Sequence, residues 1–459
     1  MLIAPGATDE ERLLVLASFA APHVGERAVL CALAGRALDW PGLFELAQAN
    51  ATAPLVFRRL AKEGLLDTVP AGVRDAFAAE TDAVAAVNEL RLSAARELLE
   101  RFHRAGIACV VLKGMWFGLE IYGDARYKRM NDIDILVKLE DAPAAMEVYR
   151  QLGMFSSSAV LGKEPKVKPK RSHHLPSFVS RDGALVVGTH WGLITPLAPY
   201  TIDYEAIWSR VRPIDFYGSP AFAMSDEDNL HHLCVHLPYY KTGVRELADI
   251  WNLVRHAKGR LDLDLVRAEM GKAGSHNLVF HALSLANRLA PDEDIAALVE
   301  SAARRTHRWY RYDVERKTRD VHTLLRSRST HTSRIETSYT EFNATDNAAE
   351  KLSAFARLWS SLLAAPAAEA LKMSSLSDPS LPALVGARLA APYRLTRVFQ
   401  RDLGRWLFFA ALLKTVADLA GAAVGSLGRA AERPDTLADF AARVGMTAQD
   451  LRAILESQQ

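Results

Sequence analysis

The stretch VVLKGMWFGLEIYGDARYKRMNDIDILVKLED, Val110–Asp141, decides the fold. It opens on an apolar run ending at Lys113-Gly114 and closes on a second apolar run that carries Asp132 and Asp134. Short β-rich runs of this kind predict strands, and MWFGLEIYG between them predicts a helix. Side chains alternate along a strand, so Asp132 and Asp134 leave one face while Ile133 and Ile135 enter a core. Two carboxylates so close repel unless a cation lies between them. Mg²⁺ (or Mn²⁺) suits that place, since a hard cation is held by one or two carboxylates plus substrate phosphates. Asp132 and Asp134 are therefore the candidate metal ligands. An acidic outer strand face would give the same pattern with no metal, and the upstream residues weigh against that. Gly114 at a strand-to-helix turn lets backbone N–H groups approach a phosphate, and Lys113 adds a point charge.

Working outward, IACVVLKG, DIDILVKL and ALVVGTHWGL read as strands, with the helix DAPAAMEVYRQLG between the last two. Arg181–Gly183 is a turn able to close a hairpin. The rest is dominated by apolar residues at helical spacing. Asp39 before Trp40-Pro41 reads as a helix N-cap, and Gly106 as a helix end. The fold class is α+β, predominantly helical. A small mixed-sheet core over residues 101–215 follows a helical region, 1–100. Beyond it come a second helical region, 216–326, a polar linker or mobile loop, 327–351, and a helical C-terminal region, 352–459.

The 459 residues exceed one ordinary domain, and 49% hydrophobic with 24% charged residues is the balance of a folded globular chain. A net charge of +2 is too balanced to mark a dedicated nucleic-acid binder, though it permits local basic patches. Cys31, Cys109 and Cys234 form no CxxC and read as reduced thiols of a cytoplasmic protein. The N-terminus lacks the layout of a signal peptide. The longest apolar stretch, Trp406–Gly428, contains Lys414 and Asp418, so no transmembrane span is expected.

Lys113-Gly114, then Tyr122, then Lys128 and Arg129, then NDIDILV resemble the polymerase-β-type nucleotidyltransferase superfamily. The closer resemblance is to a bacterial group of largely uncharacterised nucleotidyltransferases in which Lys-Gly stands for Gly-Ser. The lead-in DWPGLFELAQANATAPLVFRRL, His190-Trp191, His232 with His236, and Leu247-Ala248-Asp249 match weaker features of that group. The likeness covers roughly residues 30–260. It implies that Lys113 and Gly114 cradle a nucleoside triphosphate, with Lys128 or Arg129 neutralising phosphate charge. A nucleoside monophosphate would then pass to a small-molecule, peptide or protein acceptor. It also implies a third carboxylate two residues before His-Trp, where this chain has Gly188. His190 shares the face of Gly188 by alternation and is the candidate base or ligand in its place. Asp182 falls at the wrong end of that strand. The missing acid supports an alternative: a degenerate nucleotide binder, or a helical scaffold of a biosynthetic assembly. If Gly188 limits chemistry alone, Gly188→Glu should leave nucleotide binding similar and raise turnover.

Other features carry less. Lys163–Arg171 is a basic loop, either a phosphate-binding arm or a solvated surface. His231, His232 and His236 read as structural or substrate-facing, and Arg245 with Asp249 as an i, i+4 helix pair. The tail TLADFAARVGMTAQDLRAILESQQ resembles the start of a helix-turn-helix but has TAQDLRAILES in place of a basic recognition helix, so no specific DNA binding is expected.

Overall fold

The structure, a computed structural model, describes residues 6–156, 165–237 and 243–318, save five loop positions, together with isolated positions beyond. The expected linker, the C-terminal helical region with Trp406–Gly428, and the helix-turn-helix-like tail lie outside the described residues. Among those described, no helix is long and apolar enough to cross a membrane.

Helices α1 (Asp9–Ala17), α2 (Val24–Ala34), α3 (Trp40–Ala49) and α4 (Ala53–Lys62) lead into α5 (Ala71–Arg104). Asp39 caps α3 by accepting from the Gly42 amide, with Pro41 in the first turn, as its position predicts. Gly106, at φ +73°, turns the chain out of α5. The strands are β1 (Cys109–Val111), β2 (Ile133–Val137), β3 (Phe155–Ser156), β4 (Phe178–Val179), β5 (Val186–His190), β6 (Arg212–Phe216) and β7 (Ser219–Ala223). Between them lie α6 (Lys113–Glu120), α7 (Ala142–Gln151) and α8 (Tyr204–Arg210). The helices α9 (Asp226–His236), α10 (Val244–His256), α11 (Leu263–Ala273), α12 (His276–Leu289), α13 (Glu293–Ala303) and α14 (Arg308–Thr318) follow.

The sheet is mixed, in the order β3-β4-β5-β2-β1-β7-β6. β2 runs antiparallel to β1 and parallel to β5, with Asp134 opposite Gly188. The sheet continues past residue 215, through a hairpin turned at Tyr217-Gly218. Both of those residues have positive φ, the backbone that a two-residue turn between twisted strands demands. The residue pattern hides this hairpin because Pro213 and Pro220 interrupt both strands.

The two sheet faces bury different sets. Cys109, Val111, Ile133, Ile135 and Val137 join a hydrophobic core that runs from Ala7 to Leu325. Val110, Leu112 and Leu136 point the other way, into a smaller cluster with Leu193, Ile207 and Met224. Asp134 shares the parity of Leu136, and so stands on this second face, at the edge of its apolar patch.

Candidate active site

The segment before β2 is held from α5. The Asn88 amide group donates to the carbonyls of Ala125, Arg126 and Lys128, at 2.7–3.1 Å. One turn on, Arg91 donates to the Met130 carbonyl at 2.6 Å. The Tyr217 hydroxyl accepts from the Ala125 amide at 3.1 Å. Gly118 lets α6 lie against this segment, where a Cβ would fall 2.6 Å from Ala125. The loop that delivers the aspartates is thus fixed from three sides.

Asp134 is buried, and both its oxygens are engaged. Lys113 Nζ lies 2.8 Å from Oδ2, and His190 Nε2 lies 2.9 Å from Oδ1. Burial alone would raise this carboxyl. The Lys113 charge and the His190 hydrogen bond overcome that and hold it well below the usual range. Asp132 is exposed, and its carboxyl is pushed up to about 6, first by the charge of Asp134 and then by the surrounding protein. Lys113, His190 and Arg91 pull in the opposite direction without prevailing. Because Asp132 reaches solvent, repulsion is the cause that matters.

Lys113 itself sits at φ +44°, a left-handed backbone rare for a side-chain-bearing residue. The strand-to-helix turn therefore falls on the lysine, one residue before the glycine expected to make it. Gly114 has a different reason for being glycine: a Cβ there would lie 2.9 Å from the Met130 Cγ.

Gly188 is no vacancy. A Cβ would lie 2.5 Å from Asp134 Oδ1 and 3.3 Å from His190 Nε2. The space of the missing side chain is filled by the Asp134–His190 contact. Any side chain at 188 must shift the Asp134 carboxylate, which weighs against the expectation that Gly188→Glu leaves nucleotide binding similar. Among the described residues no group of three or more His, Cys, Asp or Glu side chains is placed to hold a metal ion.

His190 does not donate to a backbone carbonyl; its Nδ1 is buried without a hydrogen-bond partner among the described residues. Two further imidazoles stand beside it. The His173 and His174 rings lie 5.5 and 5.4 Å from the His190 ring, and His174 forms a bridge with residue 190. Burial and neighbouring positive charge lower both, His173 to about 3. From α9, His232 and His236 are held neutral, by burial first and then by Lys113. His231 belongs elsewhere: it bonds Ser275 at 2.7 Å, and burial lowers it to about 4.

Lys128 and Arg129 are not beside the aspartate pair as free cations. Lys128 is 3% exposed and holds both oxygens of Asp249, at 2.7 and 2.9 Å. Arg129 reaches Glu80 at 3.3 Å. Asp249 is therefore not the partner of Arg245, which bonds the adjacent Glu246. The arginines whose charge acts on Asp132 are Arg91 and Arg245, from α5 and α10. The sequence hid them because each reads as one more cation on a helix face. His173 and His174 were visible beside the basic loop, but nothing in its spacing places them over β5.

No curated protein and no solved structure matches the chain. A family model described as an uncharacterised nucleotidyltransferase matches residues 36–291, more than half of the 459. That span takes in the whole sheet and both helices, α5 and α10, that bring arginines to the aspartates. The chain belongs to this uncharacterised nucleotidyltransferase family.

Proposed function

We propose that the protein transfers a nucleoside monophosphate from a nucleoside triphosphate to a hydroxyl or amine, with a divalent metal. The observation that carries this is Asp134, two residues from Asp132, held at 2.8 Å by Lys113 at the strand-to-helix turn, inside the span that matches the nucleotidyltransferase family. The donor chemistry fits: two hard carboxylates on one face supply part of a shell that phosphate oxygens complete. Asp132 and Asp134 would hold Mg²⁺ or Mn²⁺, which links the triphosphate to the protein and offsets charge during transfer.

The chain's own residues do the rest. Lys113 exchanges its contact with Asp134 for a phosphate oxygen. Arg91 and Arg245 keep the Asp132 side positive. His190 orients Asp134 through Nε2. The acceptor oxygen or nitrogen bonds the α-phosphorus, the bond to pyrophosphate breaks, and the acceptor's proton leaves to water. The acceptor is a small molecule, peptide or protein. The three free cysteines suit a cytoplasmic setting.

A second reading, nucleotide binding without turnover, is favoured by one observation. The place of a third carboxylate is occupied at Gly188 by the Asp134–His190 pair. Pyrophosphate release across four nucleotides and a panel of acceptors, with Asp132→Ala as control, separates the two. Release abolished by Asp132→Ala supports transfer. Calorimetric binding of Mg²⁺–ATP without release on any acceptor supports the second reading, and equal affinity in wild type and Asp132→Asn/Asp134→Asn removes both.

A further inference from the structure

A cavity of about 160 Å³ opens between α8, α9 and α11. Leu193 and Ile207 form part of its wall, and both belong to the apolar cluster that contains Leu136. Leu136 is the next residue after Asp134 on the same face of β2. The cavity therefore lies on the face that carries the aspartates. His232, 3% exposed, is in its wall and also lies within the electrostatic reach of Lys113, His190 and Asp134. The route into this wall is short in sequence too, since Leu193 follows His190 by three residues. The loop between them is packed down, with the Tyr204 hydroxyl accepting from the Leu193 amide at 2.9 Å.

The lining has a distinct charge. Asp203, Asp228 and Glu269 border the cavity against one cation, Lys272. Arg210 braces the site from Asp228, with two hydrogen bonds at 2.7 and 2.9 Å, and approaches Glu269 at 3.6 Å. Lys272 pairs with Glu269 at 2.9 Å, so Asp203 is the carboxylate of the lining with no ion pair among the described residues, and the lining keeps one negative charge in excess. The volume is below the roughly 300–1,000 Å³ of a site for a drug-sized ligand, so the occupant has few heavy atoms.

We infer that this cavity is the acceptor subsite, and that it takes a small cationic amine, alone or as an amine-bearing side group. This rests on the nucleotidyl-transfer reading for the word acceptor, though the binding of an amine stands separately. A nucleotide at Asp132 and Asp134 and an amine in the cavity would share one face of the sheet, as transfer between them requires.

The test uses the full-length protein with saturating Mg²⁺–ATP and four probes: ethanolamine, 1,3-diaminopropane, glycerol and glycolate. Binding is read by saturation-transfer NMR and calorimetry in wild type and two variants. Thr201→Trp places a bulky ring at an exposed position of the rim. Asp203→Asn removes a charge yet keeps the cap of α8, since asparagine accepts the Ala206 amide equally well. The expected result is that the two amines bind and the other probes do not. Thr201→Trp should weaken the amines at least tenfold, and Asp203→Asn several-fold, with Mg²⁺–ATP affinity unchanged. Glycolate binding as tightly as ethanolamine, or amine binding indifferent to Thr201→Trp, overturns the assignment. Amine binding without any Mg²⁺–ATP binding overturns the nucleotide reading and the acceptor role with it. Mg²⁺–ATP binding without amine binding overturns the acceptor subsite alone.

Discussion

Two lysines fifteen residues apart in the motif each pair with an aspartate, and the geometry of the two pairs is nearly the same. Lys113 meets Asp134 at 2.8 Å, and Lys128 meets Asp249 at 2.7 Å. Their surroundings differ. Lys128 is sealed in, and Asp249 also accepts from the Tyr122 hydroxyl at 3.0 Å. Tyr122 in turn accepts from Asn252, which reaches the Ser18 carbonyl and the Ala20 amide. Every polar group of that chain has a neighbour, and it ties the motif loop to α10 and the N-terminal helices. The first pair has a side chain 23% exposed, a strained lysine backbone and a second carboxylate pressing on it. A satisfied buried pair fixes structure, whereas a partly exposed pair on a strained backbone with a second carboxylate beside it is ready to exchange partners.

If that contrast holds, Lys128→Met should show the largest loss of stability. Removing one partner leaves the Asp249 charge buried, at a cost of about 3–5 kcal/mol. Urea unfolding measures it, and Lys128→Met/Asp249→Leu should recover much of the loss. A Lys128→Met variant as stable as wild type but unable to bind nucleotide would break the comparison, because Lys128 would then be a phosphate ligand.

Asp132→Asn should act the other way round. Mg²⁺–ATP affinity should fall at least about a hundredfold, or roughly 2.7 kcal/mol, while the fold is kept. Calorimetry and thermal melting together check this.

Gly188→Ala sharpens the comparison at its crowded point. Its methyl group must push the Asp134 carboxylate aside, so Mg²⁺–ATP affinity should fall about tenfold, with a cost of roughly 1–3 kcal/mol for overpacking. Unchanged affinity would mean that Asp134 is free to relocate and does not need the His190 contact.

The smallest effect concerns pH. The Asp132 carboxyl, at about 6, lies above its value in an unfolded chain, so the folded state holds that proton more tightly. The associated stability is present below about pH 4 and is lost as pH rises through about 6. Asp132→Asn should therefore make the metal-free protein slightly more stable at pH 7, by on the order of 1 kcal/mol after screening is allowed for. Melting curves from pH 4 to 8 without divalent metal test it. A variant less stable than wild type at pH 7 would place Asp132 among attractive rather than repulsive neighbours.

By itself the sequence determined what local rules govern. Period-2 alternation places Asp134 with Leu136 on one side of β2 and Ile133 with Ile135 on the other, and Asp39 and Gly106 act within their own turns. The same alternation puts Gly188 and His190 on one face of β5. What local rules could not reach was every identity set by contact between distant segments. Lys128 and Arg129 look equivalent in the chain, yet the packing of α10 buries the first against Asp249 while the second reaches Glu80 on α5. Arg91 and His173 become neighbours of the carboxylates only because α5 and the chain before β4 fold back to them. Gly188 reads as a missing acid in one dimension. In three it is the only side chain small enough to leave Asp134 and His190 in contact, because the parallel register sets residue 188 directly beside Asp134.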